Sequence, residues 1–172
     1  LAALGHTRVG FITSRLGTAP YDGPASSARV ARSHFTIPRD RIRGFEDGLG
    51  RRVVIEERWA TTQHDGAVAA AALMHRRPDL SAIACVADIY ALGVLHWARE
   101  HHIQIPHQLT VTGHDDIDAA LPAGLTTVRQ PLHQKGRIAA ATPQHLIREA
   151  APATHRYLPT RIQRRESSGR QY

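Results

Sequence analysis

Ser81–Glu100, SAIACVADIYALGVLHWARE, changes its hydrophobic period midway. Ala82, Ile83, Ala84, Cys85 and Val86 are apolar at every successive position. A strand with no polar alternation suits a parallel sheet covered on both faces. From Ile89 the spacing becomes helical, with Ile89, Leu92, Leu95 and Ala98 on one face. Asp88 stands at the junction. Its carboxylate is placed to cap the helix, and it also sits at the carboxyl end of a strand, where open α/β sheets bind ligands. Both readings stand at this point.

The same alternation extends on either side. Upstream, Leu1–Leu4 reads as a helix tail closed by Gly5, and Arg8–Thr13 as a first buried strand. Ser14–Ser27, rich in Gly, Pro and Ser, is a loop whose composition also suits disorder. A helix is expected over Pro38–Gly48, a strand over Arg51–Glu57, a loop over Trp59–Asp65 and an Ala-rich helix over Gly66–His75. Downstream, Leu109–Gly113 reads as a strand and Leu125–Gln130 as an extended connector. Leu132–Ala150 reads as a helix that Pro143 kinks or splits, Tyr157–Arg164 as an edge strand, and Glu166–Tyr172 as a frayed tail. Strands alternating with helices predict an α/β fold with a doubly wound, Rossmann-like parallel sheet. Right-handed crossovers then bring Asp88, Asp115 and the loops 14–27 and 59–65 to one edge.

Composition narrows the function classes. The chain has 172 residues, 42% of them apolar, which is ample for one core. Its formal charge of +7 comes almost wholly from arginine, since Lys135 is the only lysine. The arginines are scattered over many segments, so the excess is no stripe for nucleic acid. Cys85 alone excludes an internal disulfide framework and a cysteine-based metal site. No apolar run nears the ~20 residues of a membrane span, and Leu1–Leu4 has neither the length nor the charge of a signal peptide. The sequence, starting inside a helix tail, reads as a piece of a longer protein.

Six stretches in order, GHTRVGFI, RIRGFEDGL, RPDLSAIACVADIYALGVLHWARE, IPHQLTVTGHDDIDAA, LTTVRQP and LPTRIQRRESSG, together resemble the lactose-repressor/galactose-repressor (LacI/GalR) family of bacterial transcription regulators. The resemblance implies a type I periplasmic-binding-protein-like effector domain of two lobes, of which this chain is mainly the second. It implies that residues 1–129 form the C-terminal lobe, that 130–153 cross to a lobe not contained in the chain, and that 154–172 return. It further implies a cytoplasmic repressor that works as a homodimer and contacts DNA through a helix-turn-helix head elsewhere in the protein. The implied partner is a small-molecule effector, sugar or otherwise, with no cofactor, no metal and no enzymatic reaction. A periplasmic sugar-binding protein of a transporter is the rival reading, since it shares the fold and the cleft.

The same resemblance assigns candidate effector-binding residues. Arg41 occupies the arginine of R-x-x-G-F, and its planar fork of donors suits sugar hydroxyls or a carboxylate. Asp115 matches the first aspartate of the G-x-D-D stretch, where a carboxylate accepts from two hydroxyls. Asp88 keeps the aspartate that opens the central helix, but Ala87 stands where relatives carry asparagine. Trp59 is a stacking platform for a sugar ring or simply a loop-packing residue. His114, Asp115 and Asp116 are adjacent in an extended segment, and three such neighbours cannot all face one ion. No nucleophile elbow, Cys–His set or Gly-rich phosphate loop is present.

Overall fold

Five strands form the main sheet of the computed structural model, which describes residues 1–149 and 157–171. Its spatial order is β2 (Gly23–Pro24), β3 (Val54–Arg58), β1 (Val9–Ser14), β4 (Ala82–Cys85) and β5 (Thr110–Thr112). β3, β1, β4 and β5 run parallel, and β2 pairs antiparallel to β3 at one edge. Every residue of β4 is buried, as its unbroken apolar run requires. From β1 the chain crosses one way to β3, then back past β1 to β4. The direction of winding therefore reverses between β1 and β4. That reversal opens a crevice outside their carboxyl ends.

The helices occupy the two faces. α2 (Thr36–Leu49), preceded by the short α1 (Ser27–Ala31), packs near β1, where Phe45 meets Phe11 with ring centroids 5.2 Å apart. α3 (Gln63–Arg76) and α4 (Asp88–Glu100) pack on each other across the opposite face. α3 starts earlier than its apolar spacing suggests, because Thr62 accepts from the Asp65 amide while Asp65 takes the Thr62 hydroxyl in return. Tyr90 of α4 points into the core, and its hydroxyl donates to the Ala60 carbonyl at 3.0 Å.

Four expectations are corrected. The segment 14–27 is the loop its composition suggests, but an ordered one. Buried Glu57 accepts from the Leu16 amide at 2.8 Å and from Arg29, and Arg29 lies over the Tyr21 ring. These partners are 28 and 41 residues away, beyond any local pattern. The tail beyond Glu166 is not frayed through Arg170. Ser167 and Ser168 are buried, the Val111 amide donates to the Ser167 carbonyl at 2.8 Å, and Ser167 Oγ donates to the Val111 carbonyl at 2.6 Å. The tail thus covers the free edge of β5. The expected connector is a strand, β6 (Thr127–Arg129), which pairs antiparallel with β7 (Arg161–Gln163) in a separate two-stranded sheet. Finally, α5 (Leu132–Glu149) runs through Pro143 as one helix. The proline, which deletes one backbone donor, thus does not split the helix. Residues 133–137 of α5 are exposed, and part of the 130–153 and 154–172 segments, 150–156, lies outside the described residues.

Candidate functional site: an arginine–aspartate pair at the switch point

β5 ends at Thr112, and the chain turns sharply through Gly113 to Ile117. Glycine is required at 113, since a Cβ there would lie 2.1 Å from Asp88 Oδ1. Asp115 and Asp116 then adopt positive φ, +113° and +59°. Backbone of this kind costs energy and persists only where surrounding bonds dictate it. The bonds are on view. The Asp115 amide donates to the Val128 carbonyl at 2.9 Å, and the Asp88 amide donates to the His114 carbonyl at 2.8 Å. Asp116 is gripped by Arg165 at 2.6 Å and by Arg129.

Asp88 does not cap its own helix. It is the first residue of α4, with Ala87 at the cap position and no side-chain cap bond. Its carboxylate turns the other way, accepting from Thr127 Oγ1 at 2.6 Å and from the Ile117 amide at 3.0 Å. It is wholly buried. Burial raises its pKa, while the bonds from Thr127 and Ile117 oppose the rise. Asp88 thus ties the β4–α4 junction to the β5 loop and to β6, beneath the site rather than in it.

Arg41 and Asp115 come together above it. Arg41, in the second turn of α2, reaches over the crevice between β1 and β4. Its Nη1 donates to the Val86 carbonyl at 2.5 Å, and its Nη2 lies 3.5 Å from Asp115 Oδ1. Each side chain is about a quarter exposed, at 26% and 25%. Asp115 also accepts from Gln130 Nε2 at 2.6 Å and lies 3.1 Å from His114 Nδ1. Burial alone would lift the Asp115 carboxyl, but His114, Arg41 and Gln130 outweigh it and hold the group below the usual range. The pair offers donors and acceptors side by side with its charges balanced. That combination suits a neutral polyol, whose hydroxyls both donate and accept. Next to the pair a cavity of about 560 Å³ opens, with Phe11, Phe45, Cys85, Val86 and Val128 in its walls.

Trp59 is not in this cavity. It follows β3 directly and lines a second one of about 570 Å³, with Ser14, Phe35, Ile37 and Thr61. Its ring lies 5.1 Å from the guanidinium of Arg15. The edge of the sheet therefore borders two cavities, one beside Arg41 and Asp115, the other beside Arg15 and Trp59. Gln130, His114 and Arg15 went unmarked as site residues in the sequence. Gln130 meets Asp115 across 15 residues without any shared periodicity. Arg15 sits one place beyond the last registered pair of β1 and β3, Ser14 and Arg58, which makes it the neighbour of Trp59. That register was the usable signal. Among the described residues no three His, Cys, Asp or Glu side chains gather as metal ligands.

Comparison with known proteins agrees with this fold. Residues 1–168 match the family described as periplasmic binding protein-like domain. A helix-turn-helix-type transcriptional regulator of Mycolicibacterium smegmatis is 35% identical over 145 residues, covering 78% of this chain and 40% of that protein. A LacI-family transcriptional regulator structure from Corynebacterium glutamicum superposes with a TM-score of 0.89 at 29% identity, covering 97% of this chain and 51% of that one. A LacI-family regulator of Enterococcus faecalis, solved with bound ribose, shares the fold at a TM-score of 0.73 and 19% identity, covering 97% and 56%. The chain spans about two fifths of the length of the curated relatives it matches. This chain belongs to the periplasmic binding protein-like domain family, and the relatives it resembles in it include LacI-family transcription regulators.

Proposed function

We propose that the chain is one lobe of the effector-sensing domain of a DNA-binding transcription repressor, and that it holds a sugar or a similar small polyol at the sheet edge. The observation that carries this reading is the Arg41–Asp115 pair, 3.5 Å apart and partly open at the switch point of the sheet. Ribose in the Enterococcus faecalis regulator is a precedent for such a ligand in that protein. Residues 1–129 form the lobe, 130–153 cross to a second lobe and 154–172 return. Two facts support the crossing: Arg129 and Arg161 are register partners, so the chain leaves and re-enters at one place, and the first turns of α5 are exposed. The effector closes the two lobes, and closure changes the spacing of DNA-reading heads in a homodimer. Only a difference in affinity between the two lobe arrangements drives such a change. The protein works in the cytoplasm, where its DNA is, and catalyses no reaction.

The test uses the full-length protein and a panel of neutral sugars, with calorimetric binding and promoter-DNA retention as readouts. A sugar that binds and alters DNA retention is expected. Arg41→Ala and Asp115→Asn are each expected to weaken that sugar by about tenfold or more, since each removes a charge-assisted bond. Unchanged affinity in Arg41→Ala removes Arg41 from the site. A full-length protein that binds sugar but no DNA favours the transporter-type sugar-binding protein instead.

A further inference from the structure

Arg15 is the first residue after β1, and its guanidinium lies 5.0 Å from the Phe35 ring and 5.1 Å from the Trp59 ring. Contact with the rings steadies the cation but leaves its in-plane N–H donors unused. Two neighbouring arginines have theirs engaged. Arg29 holds Glu57 through Oε1 at 2.9 Å and Oε2 at 2.5 Å, and Arg58 holds Asp65 at 3.2 Å and Asp22 at 3.4 Å. Among the described residues, no carboxylate and no carbonyl pairs with Arg15. The cavity it faces, about 570 Å³, has no acidic residue in its lining. Its polar wall is made of Ser14, His34, Thr36 and Thr61. α2 also begins at this cavity with no side-chain cap and no acid in its first turn, so the helix end adds potential of the same sign.

This differs from the Arg41 subsite, where Asp115 balances the charge. A neutral ligand is served there, while the Arg15 subsite is an uncompensated cation beside an aromatic face. We propose that the cavity between Arg15, Phe35 and Trp59 is an anion subsite, and that the effector is a sugar-like molecule carrying a carboxylate or phosphate. Arg15 binds the anionic group through its planar donors, and Trp59 covers the adjoining apolar face of the ligand. α2 joins the two subsites, since Ile37 lines one and Arg41 the other, about 6 Å apart along the helix axis. One ligand of sugar-acid size can therefore touch both.

The proposal rests on the sensor reading above, and the experiment separates the two. Full-length protein is titrated calorimetrically with glucose, galactose and ribose, each against its terminal phosphate ester, and with glucuronate and galacturonate. At least one anionic member is expected to bind about tenfold more tightly than its neutral parent, with the gap narrowing as salt rises. Arg15→Gln is expected to close that gap, and Arg15→Lys to retain part of it. The ester and uronate arms tell a phosphate from a carboxylate. An anion preference that survives Arg15→Gln overturns the proposal, and so does the absence of any preference. If neutral sugars bind in an Arg41-dependent way without anion preference, the sensor reading stands and the anion subsite falls. If no member of the panel binds, both fall.

Discussion

Asp88 shows how one buried carboxylate organises three segments. Both its oxygens face donors, Thr127 Oγ1 and the Ile117 amide. Asp88→Asn keeps the volume but supplies one acceptor and one donor where two acceptors are needed. The Asn oxygen can take the Ile117 amide, but Thr127 must then turn its hydroxyl to accept from the Asn nitrogen and loses its bond to a carboxylate. The expected cost is about 1–3 kcal/mol. Urea unfolding checks it through a lower midpoint at unchanged slope. The substitution also loosens the β5 loop that presents Asp115, so weaker effector binding is expected alongside. At this scale the sequence was partly legible. Arg41 and Asp115 were recognisable because the motifs around them are specific, and the structure sets them 3.5 Å apart. Asp88 was read with its carboxylate at the helix start or facing a ligand, because the loop it braces lies 29 residues on and Thr127 lies 39 residues on.

At the scale of elements, the contact of α3 with α4 depends on two glycines whose helical spacing gave no hint of their use. A Cβ on Gly93 would lie 1.9 Å from the Gln63 carbonyl oxygen, and one on Gly66 would lie 2.2 Å from that of Tyr90. Replacing a helical glycine by alanine ordinarily stabilises by about 1 kcal/mol. Here the obstructing atoms are backbone and cannot rotate away, so overpacking wins and the helices must separate. Gly93→Ala is expected to destabilise by about 1–3 kcal/mol net, whereas Gly44→Ala, with open space around its Cβ position, is expected to stabilise. Thermal unfolding of the two variants checks the opposite signs. The elements most legible in sequence were those with unbroken apolar runs or clean helical spacing, β1, β4 and α4. α1, β2 and β6 were not, because they are short and held by partners remote in sequence, Glu57 for the first loop and β7 for β6.

For the whole molecule, the charged groups predict a two-step loss of stability in acid. His6 is buried, bonded to Ser81 and to the Gly169 carbonyl, and burial lowers its pKa from 6.5. A lowered histidine means that the unfolded chain takes up the proton first. Stability from His6 is therefore complete above pH 6.5 and is lost as pH falls from there toward the folded value. The second step belongs to Asp115 and Asp116. Burial opposes their ionisation, but His114 and Arg41 around the first, and Arg165 and Arg129 around the second, hold both pKa values below 3.8. Their contribution is complete above the ordinary carboxyl value of 3.8 and drains away as pH falls through the lower folded values. Asp88 acts in the opposite sense, since its raised pKa favours protonation in the folded state and softens the second step. Urea midpoints measured from pH 8 to pH 3 are expected to fall first near pH 6 and again near pH 4. His6→Gln is expected to flatten the first fall and leave the second. A first step that persists in His6→Gln would assign it to another histidine and remove the burial of His6 as its origin.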